Sequence, residues 1–189
     1  MKKVILGATG SIGSSLAKKL VESGDQVHLV GREESNLSSL ARELNSSFTT
    51  CDVLEENFCE KITKDLKDEP IDGLAFCIGS IDLKPLKLTK KSDFMQSFNL
   101  NLVSATEVIR SLADNLKKNK GSIVLFSTVA VKQGFPNHAI VSSAKGAIEG
   151  LTLALAAELA PNVRVNCIAP SLTNSKMSNF LLKNEKVAE

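Results

Sequence analysis

Tyrosine and tryptophan are absent from this sequence, and phenylalanine, present eight times, supplies all of its benzenoid side chains. The lysines and arginines are spread along the chain, balance to a net charge of +2 and have no aromatic residues interleaved with them, which excludes a nucleic-acid-binding surface. Histidine occurs twice, and the four cysteines, Cys51, Cys59, Cys77 and Cys167, form no C-x-x-C pair, so a metal site is not expected. Thiols in this arrangement read as small core hydrophobes in a reducing compartment. Long apolar runs are missing as well. The first one, Val4-Ile5-Leu6, stops at Gly7, so neither a secretory signal nor a membrane span is expected, and the cytoplasm is the expected location.

What is present is 189 residues, 43% of them hydrophobic, enough for one domain with a sizeable core over 1–189. Apolar strand-like runs at Lys2–Leu6, Gln26–Val30, Phe48–Val53, Gly73–Ile78, Ser122–Ser127 and Val163–Ile168 alternate with segments of helical period. The helical segments are the stripe Ile12, Leu16, Leu20, ended by Gly24, then Asn36–Leu44, Asn57–Leu66, Lys91–Lys118 with Ser92 as its N-cap, and Val141–Leu159. This alternation predicts an α/β fold of the Rossmann type, a doubly wound parallel sheet of about six strands in three layers.

The turn Gly7-Ala8-Thr9-Gly10-Ser11-Ile12-Gly13 follows the first strand and opens the first helix, the context in which a glycine triplet carries meaning. Gly7 permits the tight turn, and Gly10 and Gly13 allow backbone and ligand to approach. The helix N-terminus offers N–H groups and a partial positive charge to a pyrophosphate. Thr9, Ser11 and Ile12 complete the expected binding turn. The second strand ends at Gly31-Arg32, with no carboxylate at its tip to take a ribose hydroxyl. Arg32 instead offers a planar fork to a 2′-phosphate, which favours NADP(H) over NAD(H).

In their order these motifs resemble the short-chain dehydrogenases/reductases, over Met1 to about Met177. The stretches that carry the resemblance are Gly121-Ser122-Ile123-Val124-Leu125-Phe126-Ser127-Thr128-Val129-Ala130, Ser142-Ser143-Ala144-Lys145-Gly146-Ala147-Ile148-Glu149-Gly150-Leu151 and Val163-Arg164-Val165-Asn166-Cys167-Ile168-Ala169-Pro170-Ser171. The resemblance implies hydride exchange between a nicotinamide and a substrate carbon, with a Tyr-x-x-x-Lys pair, a serine and an asparagine as the active site. Position by position, Lys145 matches the lysine, Asn101 the asparagine, and Thr128 stands for the serine. Asp52, Val53, Gly79 and Pro170, together with Lys145, are implied against the cofactor.

Val141 stands where the tyrosine is expected, and valine has no proton to give. His138, seven residues before Lys145, is a candidate replacement donor if the helix begins early enough to include it. His28, inside a strand, reads as structural. Two functions stay open: an NADP(H)-dependent oxidoreductase of a small carbonyl or alcohol, or a catalytically impaired nucleotide-binding protein acting as cofactor sensor or binding partner. The resemblance further implies a homodimer through helices 91–118 and 141–159. Relative to the family the chain stops early, inside the lid at 182–189, so a fragment or a degenerate copy is expected, with the sixth strand left at a sheet edge.

Overall fold

Val4 and Leu6 face one way from the first strand and Ile5 the other, and all three are fully buried, so this strand is covered on both sides. The computed structural model describes residues 1–175 and 178; Met177 and the segment 182–189 lie outside the described residues. Its strands are β1 (Lys2–Leu6), β2 (Gln26–Gly31), β3 (Ser47–Thr50), β4 (Gly73–Phe76), β5 (Ser122–Phe126) and β6 (Arg164–Ile168). The helices are α1 (Ser11–Glu22), α2 (Glu34–Glu43), α3 (Phe58–Leu66), α4 (Lys91–Phe98), α5 (Ser104–Lys118), α6 (Ala130–Gln133) and α7 (Ala139–Glu158). All strand pairs are parallel, in the order β3-β2-β1-β4-β5-β6.

The register sorts the core into two layers. Ile5, Val27 and Leu29 pack under Ala17, Leu37 and Ala41 of α1 and α2. Val4, Leu6, Leu74 and Ile123 pack under Phe58 and Ile62 of α3, Val108 and Leu112 of α5, and Ile148 of α7. These are the three layers expected. β1 pairs with both β2 and β4, so the chain's direction of travel across the sheet reverses between β1 and β4. In such sheets the crevice beyond the strand C-termini at this reversal is where ligands bind.

Several expectations need correction. Ser92 is not the helix cap: Lys90 holds that position, and its backbone N donates to Asp93 Oδ2 at 2.9 Å. The segment 91–118 is not one α-helix but is interrupted by a π-helical turn at Asn99–Val103. The third strand is shorter than expected, although Cys51 N still donates to Gly31 O at 3.0 Å. The short α6 and the 3₁₀ turn Leu86–Leu88 carry no periodic signal and were not expected. Finally, α7 is by length and composition apolar enough to cross a membrane, with a mean hydropathy of 1.3 over its best window. In the fold one side of it, including Ile140, Ala144 and Ile148, is buried against the domain. His28 is buried as expected, hydrogen-bonded to Ser47 Oγ at 2.8 Å and Thr49 Oγ1 at 2.9 Å. β6 lies at the edge of the sheet among the described residues.

Candidate active site

At the C-terminal end of β1 the chain turns through Gly7, whose φ of +73° an L side chain would resist. Gly7 N and Ala8 N both donate to Val30 O, at 2.9 and 3.1 Å, which ties the turn to the tip of β2. A Cβ on Gly13 would stand 2.3 Å from Gly7 O, so α1 approaches β1 as closely as backbone allows. Gly10 differs: a Cβ there would meet only Gly7 O, at 3.2 Å, and otherwise open space. The first turn of α1 carries no acid to compete with an anion for its N–H groups. The turn is thus rigid on the protein side and vacant on the crevice side, at the first of the sheet's two switch-point strands.

The 2′-phosphate side of the crevice follows β2. Arg32 is exposed directly after Gly31. The neighbouring Glu33 carboxylate accepts from Asn36 Nδ2 at 2.5 Å, so it is held within the first turn of α2. Asp52 Oδ1 accepts from Leu54 N at 3.0 Å, and Val53 is buried beside it. Thr9 is exposed, near Gly31.

The second half of the site is built after β4. A Cβ on Gly7 would touch the Cys77 carbonyl at 3.0 Å, so the two switch-point loops are in contact. Two residues on, a Cβ at Gly79 would lie 3.1 Å from Lys145 Nζ and 3.3 Å from Asn101 Oδ1. Asn101 sits in the π turn, an irregularity typical of functional positions. Its Nδ2 donates to Ser97 O at 2.8 Å, which turns Oδ1 toward Gly79. That oxygen is buried and has no hydrogen-bond partner among the described residues. Lys145, on α7, is 9% exposed; its carbonyl accepts from Ser127 Oγ at 3.3 Å, while its ammonium makes no hydrogen bond or ion pair among the described residues. Burial pulls its ammonium down from 10.5 to about 8, with Cys167 and Cys77 opposing weakly. Burial also pushes the Cys77 thiol up to about 12.

Val141 lies one turn before Lys145 and is 7% exposed. Thr128, past the end of β5, accepts from Ala130 N at 3.3 Å through Oγ1, leaving its hydroxyl hydrogen to point elsewhere. Val129 N donates to Pro170 O at 3.1 Å, which fixes the proline turn after β6 beside Thr128. Sequence reasoning missed Ser127 and Glu149: Ser127 Oγ donates to Glu149 Oε1 at 2.6 Å and clamps the tip of β5 to α7. The Ser127-Thr128 doublet was the available signal, but it does not reveal a partner a full helix away. The structure does not gather His138 with this group. It stands at the N-cap of α7, outside the helix, with Nδ1 bonded to Pro136 O at 2.8 Å and its ring 5.4 Å from that of Phe135. There it lines an open groove of about 360 Å³ with Leu86, Val131 and Phe135.

Two unpartnered buried polar groups converging on a glycine, beside a glycine turn that opens a helix, fit a ribose and pyrophosphate in chemistry and in space. Comparison with known proteins points the same way. A family model described as enoyl-(acyl carrier protein) reductase matches residues 7–189. L-xylulose reductase of Bos taurus is 31% identical over 93% of this chain and 73% of its own. Carbonyl reductase [NADPH] 2 of Sus scrofa is 30% identical over 100% and 78% of the two chains. Among solved structures, a short-chain dehydrogenase of Shigella flexneri 2a complexed with NADP superposes with a TM-score of 0.91 at 25% identity, covering 97% of this chain and 82% of that one. The chain belongs to the short-chain dehydrogenase/reductase family.

Proposed function

We propose that this chain is an NADP(H)-dependent oxidoreductase acting on a small carbonyl or alcohol. The observation that carries the reading is the convergence of Lys145 Nζ and Asn101 Oδ1 on Gly79 at the switch point. In this reading the Gly7–Gly13 turn, including Thr9, Ser11 and Ile12, holds the pyrophosphate. Arg32 takes the 2′-phosphate, Asp52 and Val53 bound the adenine side, and Lys145 takes the nicotinamide ribose. Pro170 and Gly79 border the nicotinamide. The bound cofactor supplies the hydride. Thr128 donates to the substrate oxygen, and Asn101 Oδ1 accepts from a water that connects the site to solvent. The relatives act on small carbonyl compounds by their names, which supports the substrate class.

A second reading rests on Val141: with no tyrosine at this position, a protein that holds NADP(H) without turning it over serves as a cofactor sensor. A spectrophotometric screen of NADPH consumption against L-xylulose and a 3-oxoacyl thioester separates the two. Consumption with formation of the alcohol is expected; saturable NADPH binding with no consumption by any probe favours the second. The exposed apolar residues Met95 on α4, Val103 at the end of the π turn and Leu153 on α7 support a homodimer through these helices. Sedimentation of a stable monomer would contradict that.

A further inference from the structure

We propose that Lys145 is the proton donor of this chain's carbonyl reduction, delivering its proton where its Nζ reaches Gly79 at the switch point. The inference rests on the oxidoreductase reading above. Reduction of a carbonyl forms a C–H bond as the C=O π bond breaks; its electron pair goes to oxygen, which must take up a proton. NADPH is the hydride source. In a chain without tyrosine the proton comes from another group, and the structure narrows the choice.

The Thr128 hydroxyl is a hydrogen-bond donor but not an acid at neutral pH. His138 is turned onto Pro136 O and Phe135. The Ser142 hydroxyl donates to Ala130 O at 3.3 Å. Cys77 and Cys167, the titratable groups that face Lys145 from the loop after β4 and from β6, are both held as thiols by burial. Glu149, one turn further along α7, is occupied by Ser127. Lys145 remains: an ammonium with no acceptor among the described residues, in contact with the crevice at Gly79. Val141, four residues earlier on the same face, is buried and has no proton to give.

An ammonium that is buried and unpartnered gives up its proton far more readily than a solvated one. Once it has done so, the neutral amine is reprotonated from solvent through a water on Asn101 Oδ1, so the cycle closes. Thr128 positions the substrate oxygen. Lys145 therefore has two duties, holding the ribose and supplying the proton.

The test uses protein labelled with ¹³C at the lysine ε-carbon, free and saturated with NADPH. One ε-carbon signal, missing from both Lys145→Met and Lys145→Arg, is expected to titrate near pH 8. A midpoint at the ordinary lysine value of 10.5 overturns the proposal, because the group then stays charged and cannot exchange its proton in turnover. In parallel, turnover of L-xylulose is expected to fall about tenfold per pH step above the same midpoint. Methylamine is expected to restore part of the activity of Lys145→Ala without changing its NADPH affinity. Absence of rescue, or wild-type protein that binds NADPH but consumes none, overturns the proton-donor role alone. Failure to bind NADPH overturns the oxidoreductase reading, while the titration of the free protein still judges Lys145 separately.

Discussion

Lys145→Met is expected to make the free protein more stable at neutral pH. The ammonium is buried without a partner, and a fall in its pKa from 10.5 to about 8 corresponds to at most about 3 kcal/mol of lost stability below pH 8. The sign follows from proton counting. Between pH 8 and 10.5 the unfolded chain keeps the lysine proton and the folded chain releases it, so wild-type stability rises with pH across that window. Below pH 8 the full cost is present, and above 10.5 it is gone. Methionine fills the same slot without a charge, and a gain of 1–3 kcal/mol corresponds to a melting temperature raised by about 2–10 °C for a chain of this size. Differential scanning fluorimetry of both proteins from pH 7 to 10.5 tests this directly. The gap is expected to be largest at pH 7 and to close as pH rises. An unchanged or lowered melting temperature at pH 7, or a gap that persists at pH 10.5, would refute the reasoning. Saturating NADPH reverses the order, since ligand at a hundredfold over its Kd stabilises the wild type by about 2.7 kcal/mol and the variant lacks a binding group.

Other consequences are as specific. Gly13→Ala drives a Cβ to 2.3 Å from Gly7 O and is expected to cost about 3 kcal/mol by chemical denaturation, whereas Gly10→Ala meets only Gly7 O, at 3.2 Å, costs no more than about 1 kcal/mol and lowers NADPH affinity at least about tenfold. Burial, with Lys2 nearby, lowers His28 to about 4, so between pH 6.5 and 4 the unfolded chain binds the extra proton. Unfolding free energy is expected to fall by up to about 3 kcal/mol across that window, a loss that His28→Gln reduces. Val141→Tyr restores a phenol one turn before Lys145. An acid–base step contributes about 10²–10⁴-fold, and with Lys145 supplying part of it the variant is expected to gain tenfold or more in turnover at unchanged NADPH affinity.

The sheet and the glycine turn were legible in the sequence because both are set locally. Burial on both faces of β1 needs only the continuous apolar run Val4-Ile5-Leu6, and the turn needs only its glycines at their spacing. The π turn was not legible: Asn99–Val103 carries ordinary helical residues, and the irregularity shows only where the Asn101 amide reaches back to Ser97 O. Ser92 misled for a related reason, since a serine is a good cap only if the chain bends at it, and here Asp93 captures Lys90 N instead. The meeting of Asn101, Lys145 and Gly79 joins residues far apart in sequence. Resemblance named these residues, but only coordinates show that Asn101 Oδ1 is buried without a partner among the described residues and that it and Lys145 Nζ meet at Gly79. His138 illustrates the converse. Its spacing to Lys145 is helical, and the helix begins one residue too late to use it.

Fluorescence titration with NADPH and NADH, on wild type and Arg32→Ala, tests the central claim that this cleft is built for a 2′-phosphorylated dinucleotide. Saturable NADPH binding at least about tenfold tighter than NADH is expected, with most of the difference lost in Arg32→Ala, since a charge-assisted fork to phosphate contributes about 1.5–3 kcal/mol. Equal affinity for the two nucleotides, or binding of neither, would contradict the account.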